Sequence, residues 1–140
     1  MFRSFVLALG LGLSVAAAAQ AKTPAYECTL PQTENGGGWI APQMIFVVQE
    51  DEAVVYDGVI HAKNGKPILA KVVENSDAKV AIRWEMGMRD GSGNSFIMRY
   101  KATLMHNSKL VIVTARPAGY DNKLEERGRC ELVDLDKRKK

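Results

Sequence analysis

The chain has 140 residues, 46% hydrophobic and 25% charged, with 19 basic and 16 acidic side chains and a formal net charge of +3. That apolar share excludes a disordered chain, and the length supports one core but not two. Arg3 and the tail Lys137 to Lys140 take five of the basic residues, so the stretch between them has more acids than bases, a poor balance for gripping nucleic-acid phosphates.

Residues 1–21 read as a signal peptide. Arg3 precedes the apolar run Phe5 to Val15, and Ala19, Gln20 and Ala21 fit the small-x-small cleavage rule, so the mature chain is expected to start at Lys22. The apolar run is about half the length of a bilayer crossing, and no later stretch is long enough to stop transfer. No integral membrane segment is therefore expected after cleavage. Residues 22–136 form a single domain, and 137–140 a basic, solvated tail.

Tyr26 to Leu30 is a short alternating strand carrying Cys28, and the breaker-rich segment Pro31 to Gly38 follows as a loop. Trp39 to Gln43 continues extended around Pro42. Met44 to Gln49 is an apolar, β-branched run that fits a strand buried on both faces. Ala53 to Tyr56 pairs back on it, with Asp57 and Gly58 ending the strand or forming a bulge before Val59 and Ile60. Asn64 and Gly65 are the strongest turn dipeptide, and Ile68 to Glu74 is the next strand.

Lys79 to Leu104 is the clearest stretch. Val80, Ile82, Trp84 and Met86 interleave with Lys79, Ala81, Arg83 and Glu85, and Phe96, Met98, Tyr100, Ala102 and Leu104 mostly with Arg99, Lys101 and Thr103, around the glycine-rich segment Arg89 to Asn94. A period of two puts the apolar members on one face, which predicts a hairpin with one wet face. Lys109 to Arg116 is apolar on both faces and reads as a central strand. Leu124 to Leu132 reads as the last strand, with a single helical turn capped by Asn122 as the alternative.

The chain has two cysteines, Cys28 and Cys130. In an oxidising compartment a lone pair admits one intramolecular bond, so a structural disulfide between the first and last strands is expected. Seven or eight short strands whose ends meet imply an all-β antiparallel meander closed into a small barrel, since closure removes exposed edges. A two-layer β-sandwich is the alternative.

No catalytic constellation emerges. Ser92 lies between Gly91 and Gly93 without the G-x-S-x-G elbow, and His61 and His106 are far apart in sequence near predicted turns. Asp90, Ser92 and Asn94 resemble the start of a calcium loop, but Lys101 stands where the bidentate glutamate belongs. No metal, cofactor or enzymatic activity is expected. Recognition remains: Trp39 follows three glycines, Tyr120 follows Gly119, and Arg116 is nearby, the residue types that anchor interfaces when exposed. The alternative places both rings inward as plugs of the barrel ends. Trp84, Phe96, Met98 and Tyr100 could instead line a pocket for a small apolar ligand, or simply fill the core.

Tyr26-x-Cys28, Gly37-Gly38-Trp39, Arg116-Pro117-x-Gly119-Tyr120-Asp121-Asn122 and Gly128-x-Cys130 resemble small exported proteins of unknown function from Gram-negative bacteria. That resemblance implies a periplasmic location. In size and disulfide placement the chain is also similar to periplasmic inhibitors of C-type lysozyme, small barrels that insert a loop into a hydrolase cleft. Their W-x-K-G-x-x-A signature is absent, Trp84 being followed by Glu85, Met86 and Gly87. The expectation is a non-enzymatic periplasmic binding or structural module whose partner is a protein or a small apolar ligand. Inhibition of a cell-wall hydrolase is the activity the second resemblance implies.

Overall fold

The computed structural model describes residues 23–135, so the signal-peptide reading of 1–21 and the tail at 137–140 lie outside the described residues. Eight antiparallel strands follow one another around a closed barrel: β1 (Ala25–Thr29), β2 (Gln43–Val48), β3 (Glu52–Asp57), β4 (Ile68–Asn75), β5 (Lys79–Arg89), β6 (Ser95–Met105), β7 (Leu110–Pro117) and β8 (Leu124–Val133). Each strand pairs with its sequence neighbours, and β8 closes on β1 with Cys28 directly opposite Cys130. Those two cysteines form the disulfide. The meander, the barrel and the staple all agree with the alternation and cysteine placement described above.

The long hairpin β5–β6 shows why the pattern was readable. Ile82, Trp84, Met86 and Met88 on β5 and Met98, Tyr100, Ala102 and Leu104 on β6 are all buried, whereas Arg83, Glu85 and Arg99 between them are exposed. Phe46 and Tyr100 flank Trp84, the first edge-on at 5.9 Å and the second stacked at 5.2 Å with planes 4° apart. These rings, with Met44 and Met98, fill the barrel interior.

The strand read as buried on both faces is not, and the central strand β7, apolar on both faces, likewise buries only one. On β2, Met44, Phe46 and Val48 point into the core while Ile45 and Val47 are half-exposed; on β7, Val111, Val113 and Ala115 are buried while Leu110, Ile112 and Thr114 are half-exposed. A barrel has a single interior, so the second apolar face of each strand is outside, shielded only by side chains of neighbouring strands.

The segment after β3 also departs from expectation. Gly58–Asn64 is a short helix, α1, in place of a bulge and a turn. Asp57 is its N-cap, accepting from the Ile60 amide at 2.7 Å, and Gly65 ends it in the left-handed region at φ 70°, donating its N–H to the His61 carbonyl. Ile60 is fully buried and packs with the core. Downstream of the glycine loop, Ile40 and Ala41 are buried without strand pairing, and β2 begins only at Gln43.

Candidate functional site

Because the strands alternate in direction, one end of the barrel collects the connections β1–β2 (30–42), β3–β4 with α1, β5–β6 (90–94) and β7–β8 (118–123). Trp39, Tyr120 and Arg116, the three residues singled out for recognition, all belong to this end.

The structure separates the two aromatics. Trp39 is half-buried, meets Phe96 edge-on at 5.6 Å, and its carbonyl accepts a hydrogen bond from the Tyr100 hydroxyl at 2.9 Å. Its ring closes the barrel mouth and its backbone is tied to β6. Tyr120 is 67% exposed, in a turn whose amide at Tyr120 donates to the Pro117 carbonyl. The turn is pinned to β6 by the Ala118 amide, which donates to the Ile97 carbonyl at 2.8 Å. Tyr120 therefore presents a large, amphipathic ring from a hydrogen-bonded base. Arg116, exposed at the end of β7, stands opposite Arg99 of β6.

The β1–β2 loop is held by a residue that sequence reading missed. Glu126 on β8 is 2% exposed, and its carboxylate accepts from the Thr33 amide at 2.8 Å, the Thr33 hydroxyl at 3.0 Å and the Gly36 amide at 3.1 Å. A Cβ at Gly36 would lie 2.3 Å from Glu126 Oε1, so a larger residue there displaces the carboxylate from this position. The latch was legible in principle: with Cys130 facing inward, a period of two puts Gly128 and Glu126 inward as well.

Other polar groups of this end are occupied by the fold. The Asp90 carboxylate accepts from the Ser92 and Asn94 amides, both at 2.9 Å, and from the Asn94 side chain at 3.1 Å, bonds that hold it below the usual carboxylate range. The likeness to a calcium loop is thus a turn closed by its own aspartate. Burial raises the Asp57 carboxyl, against the pull of the Ile60 and Val59 amides. His61, on α1, hydrogen-bonds the Tyr56 hydroxyl through Nδ1 and packs edge-on to its ring at 5.8 Å, and His106 lies across the barrel from it in the β6–β7 turn. Among the described residues no group of three or more His, Cys, Asp or Glu could hold a metal ion.

Tyr100 gives a pH-dependent readout of this architecture. Burial, aided by the negative charge of Asp57, raises its phenol well above the ordinary value. Below pH about 10 the phenol is protonated in folded and unfolded chains alike, so its full contribution to stability is present. As pH rises further the unfolded chain ionises first, and that contribution is lost progressively up to the raised folded value. The expected result is an unfolding midpoint that falls with pH above about 10, with a smaller fall in Tyr100→Phe. Burial raises Tyr26 as well, which accounts for a residual slope in that variant. Denaturant titrations across this range check it, and equal slopes in the two proteins would refute the assignment to Tyr100.

Comparison with family models, curated proteins and solved structures returned no match.

Proposed function

We propose that this chain is an exported, non-enzymatic module that binds a partner protein through the loop end of its barrel. The observation that carries the reading is Tyr120, a large aromatic held 67% exposed on a turn tied into the sheet. Leaving such a ring in water has no stabilising role within the fold, whereas aromatics beside an arginine are the residues that anchor interfaces. The disulfide fits an oxidising compartment, which supports export to the periplasm. A carrier of apolar ligands is less well supported, because the interior beside Trp84 is taken up by Phe46 and Tyr100. A cell-wall hydrolase is the class of partner that the layout of the lysozyme inhibitors implies.

The test is native pull-down and mass spectrometry on the oxidised protein from its own envelope, with Tyr120→Ala in parallel. A co-purifying protein that Tyr120→Ala depletes is the expected result. That substitution is expected to leave stability within about 0.5 kcal/mol of the parent, as for other exposed sites. Trp39→Ala, by contrast, is expected to lose roughly 2–3 kcal/mol, less than a fully buried tryptophan because the ring is half-exposed. A small molecule recovered in place of a protein would favour the carrier, and a partner retained by Tyr120→Ala would remove the loop from the interface.

A further inference from the structure

We infer that the outer face of β5 to β8 is a docking groove for an extended, acidic polypeptide segment of a partner, gripped by Arg83, Lys101 and Arg116. The inference rests on the reading of the chain as a protein-binding module and concerns the sheet face that adjoins the Tyr120 loop, with Arg116 and Lys123 at the border between them. A concavity of about 710 Å³ runs across this face, lined by Arg83, Arg99, Lys101, Arg116 and Lys123 against only two carboxylates, Glu85 and Glu125. The near-neutral balance of the whole chain conceals it.

The register makes the charge arrangement telling. Arg83 is directly opposite Lys101, and Arg99 directly opposite Arg116. Like charges at directly opposed positions destabilise a sheet, and a face shaped for stability alone alternates sign, as Glu85 and Arg99 do at 3.2 Å. Both carboxylates are already engaged, Glu85 with Arg99 and Glu125 with Lys123 and Arg127. Among the described residues Arg83, Lys101 and Arg116 have no ion pair, so three cations around one concavity await an external anion.

The shape of the site selects among polyanions. Four strands span roughly 14 Å, the width of an extended chain with its side chains. Trp84 and Tyr100 have their rings inside the barrel, so the groove offers no aromatic face for stacking a base. A flat anionic bilayer does not reach into a concavity. Half-buried Ile112, between Thr103 and Thr114, instead provides a floor for an aliphatic side chain flanked by hydroxyls. Arginine forks then take carboxylates in bidentate fashion. Since β5 to β8 are all paired, no free edge accepts an added strand, and recognition runs through side chains.

The test is random-peptide display selected on the oxidised protein, followed by titration of the winning synthetic peptides against parent, Lys101→Glu, Arg83→Glu and Tyr120→Ala proteins. Winners are expected to be rich in Asp and Glu interspersed with aliphatic residues, and to lose about tenfold or more in affinity with either charge reversal. They should also weaken as salt rises from about 0.1 M to about 1 M, where the screening length drops to about 3 Å. Lys101→Glu places a carboxylate opposite Arg83, so its thermal midpoint is expected to hold or rise while binding falls, which separates lost recognition from lost folding. Tyr120→Ala should bind the peptides unchanged, so the groove and the loop can fail separately. A winning pool without acidic enrichment, or winners indifferent to both reversals, would overturn the proposal. So would a single-stranded oligonucleotide, a heparin fragment or vesicles of anionic phospholipid that bind the groove as tightly as the peptides.

Discussion

Gly128→Ala is expected to destabilise the barrel by more than about 3 kcal/mol, the upper range for overpacked positions. Where β1 ends, the chain crosses directly over β8, and a Cβ at residue 128 would lie 2.0 Å from the Thr29 carbonyl oxygen and 2.9 Å from Leu30 Cα. Both obstacles are backbone, so no rotamer change relieves them. Neither can the strand slide away, because the disulfide at Cys130 and the Glu126 latch hold β8 two residues to either side. Gly87→Ala is the internal control: a Cβ there meets nothing within 4 Å, and stability is expected to stay within about 1 kcal/mol or improve, since glycine weakens a strand. Urea unfolding of the two variants checks both expectations. A Gly128→Ala protein as stable as its parent would mean that β1 does not pass over β8 at this point.

Replacing both cysteines with serine, Cys28→Ser with Cys130→Ser, is expected to cost about 4 to 5 kcal/mol. The bond spans 102 residues, almost the whole described chain, so reduction restores nearly all the loop-closure entropy of the unfolded state. It also lies on the seam where the last strand meets the first, among the described residues the one strand pairing that is not between sequence neighbours. For a domain of this size the loss is a large share of total stability. The measurement is the unfolding midpoint of oxidised parent, reduced parent and double variant, the last two expected to coincide. Because Gly128 and Cys130 share the seam, combining their substitutions is expected to depart from additivity. An unchanged midpoint on reduction would make the bond incidental to the closure of the barrel.

Much of this architecture was written in local patterns. The alternation from Val80 to Leu104 identified the inward and outward faces, with Ala81 buried on the outer set and Phe96 half-buried on the inner one, and Cys28 with Cys130 marked the two ends of the meander that meet. Asn64 and Gly65 show where local patterns are ambiguous. A glycine at positive φ serves a hairpin turn and a helix C-cap equally well, and only the Asp57 side chain reaching the Ile60 amide makes the segment between them helical. The two-sided apolar runs of β2 and β7 were misleading for a related reason: composition reports how apolar a face is, and not whether anything packs against it.

The exposure of the loop aromatics was not legible in the sequence. Trp39 and Tyr120 have the same sequence signature, a ring after glycine, yet Phe96 and Tyr100 draw the first inward while nothing in the β7–β8 loop draws the second. Arg83 and Lys101 are unremarkable in the chain until the β5–β6 register sets them face to face, and Glu126 reads as one more surface acid until Thr33 and Gly36 fold over it. The sequence by itself determined the inward face of the β5–β6 hairpin, the antiparallel meander and the closing disulfide, because periodicity and cysteine pairing depend on neighbours or on a unique partner. Tertiary structure alone decided which aromatic is exposed, where charge accumulates and which carboxylate is buried, because each depends on residues brought together from distant strands by barrel closure.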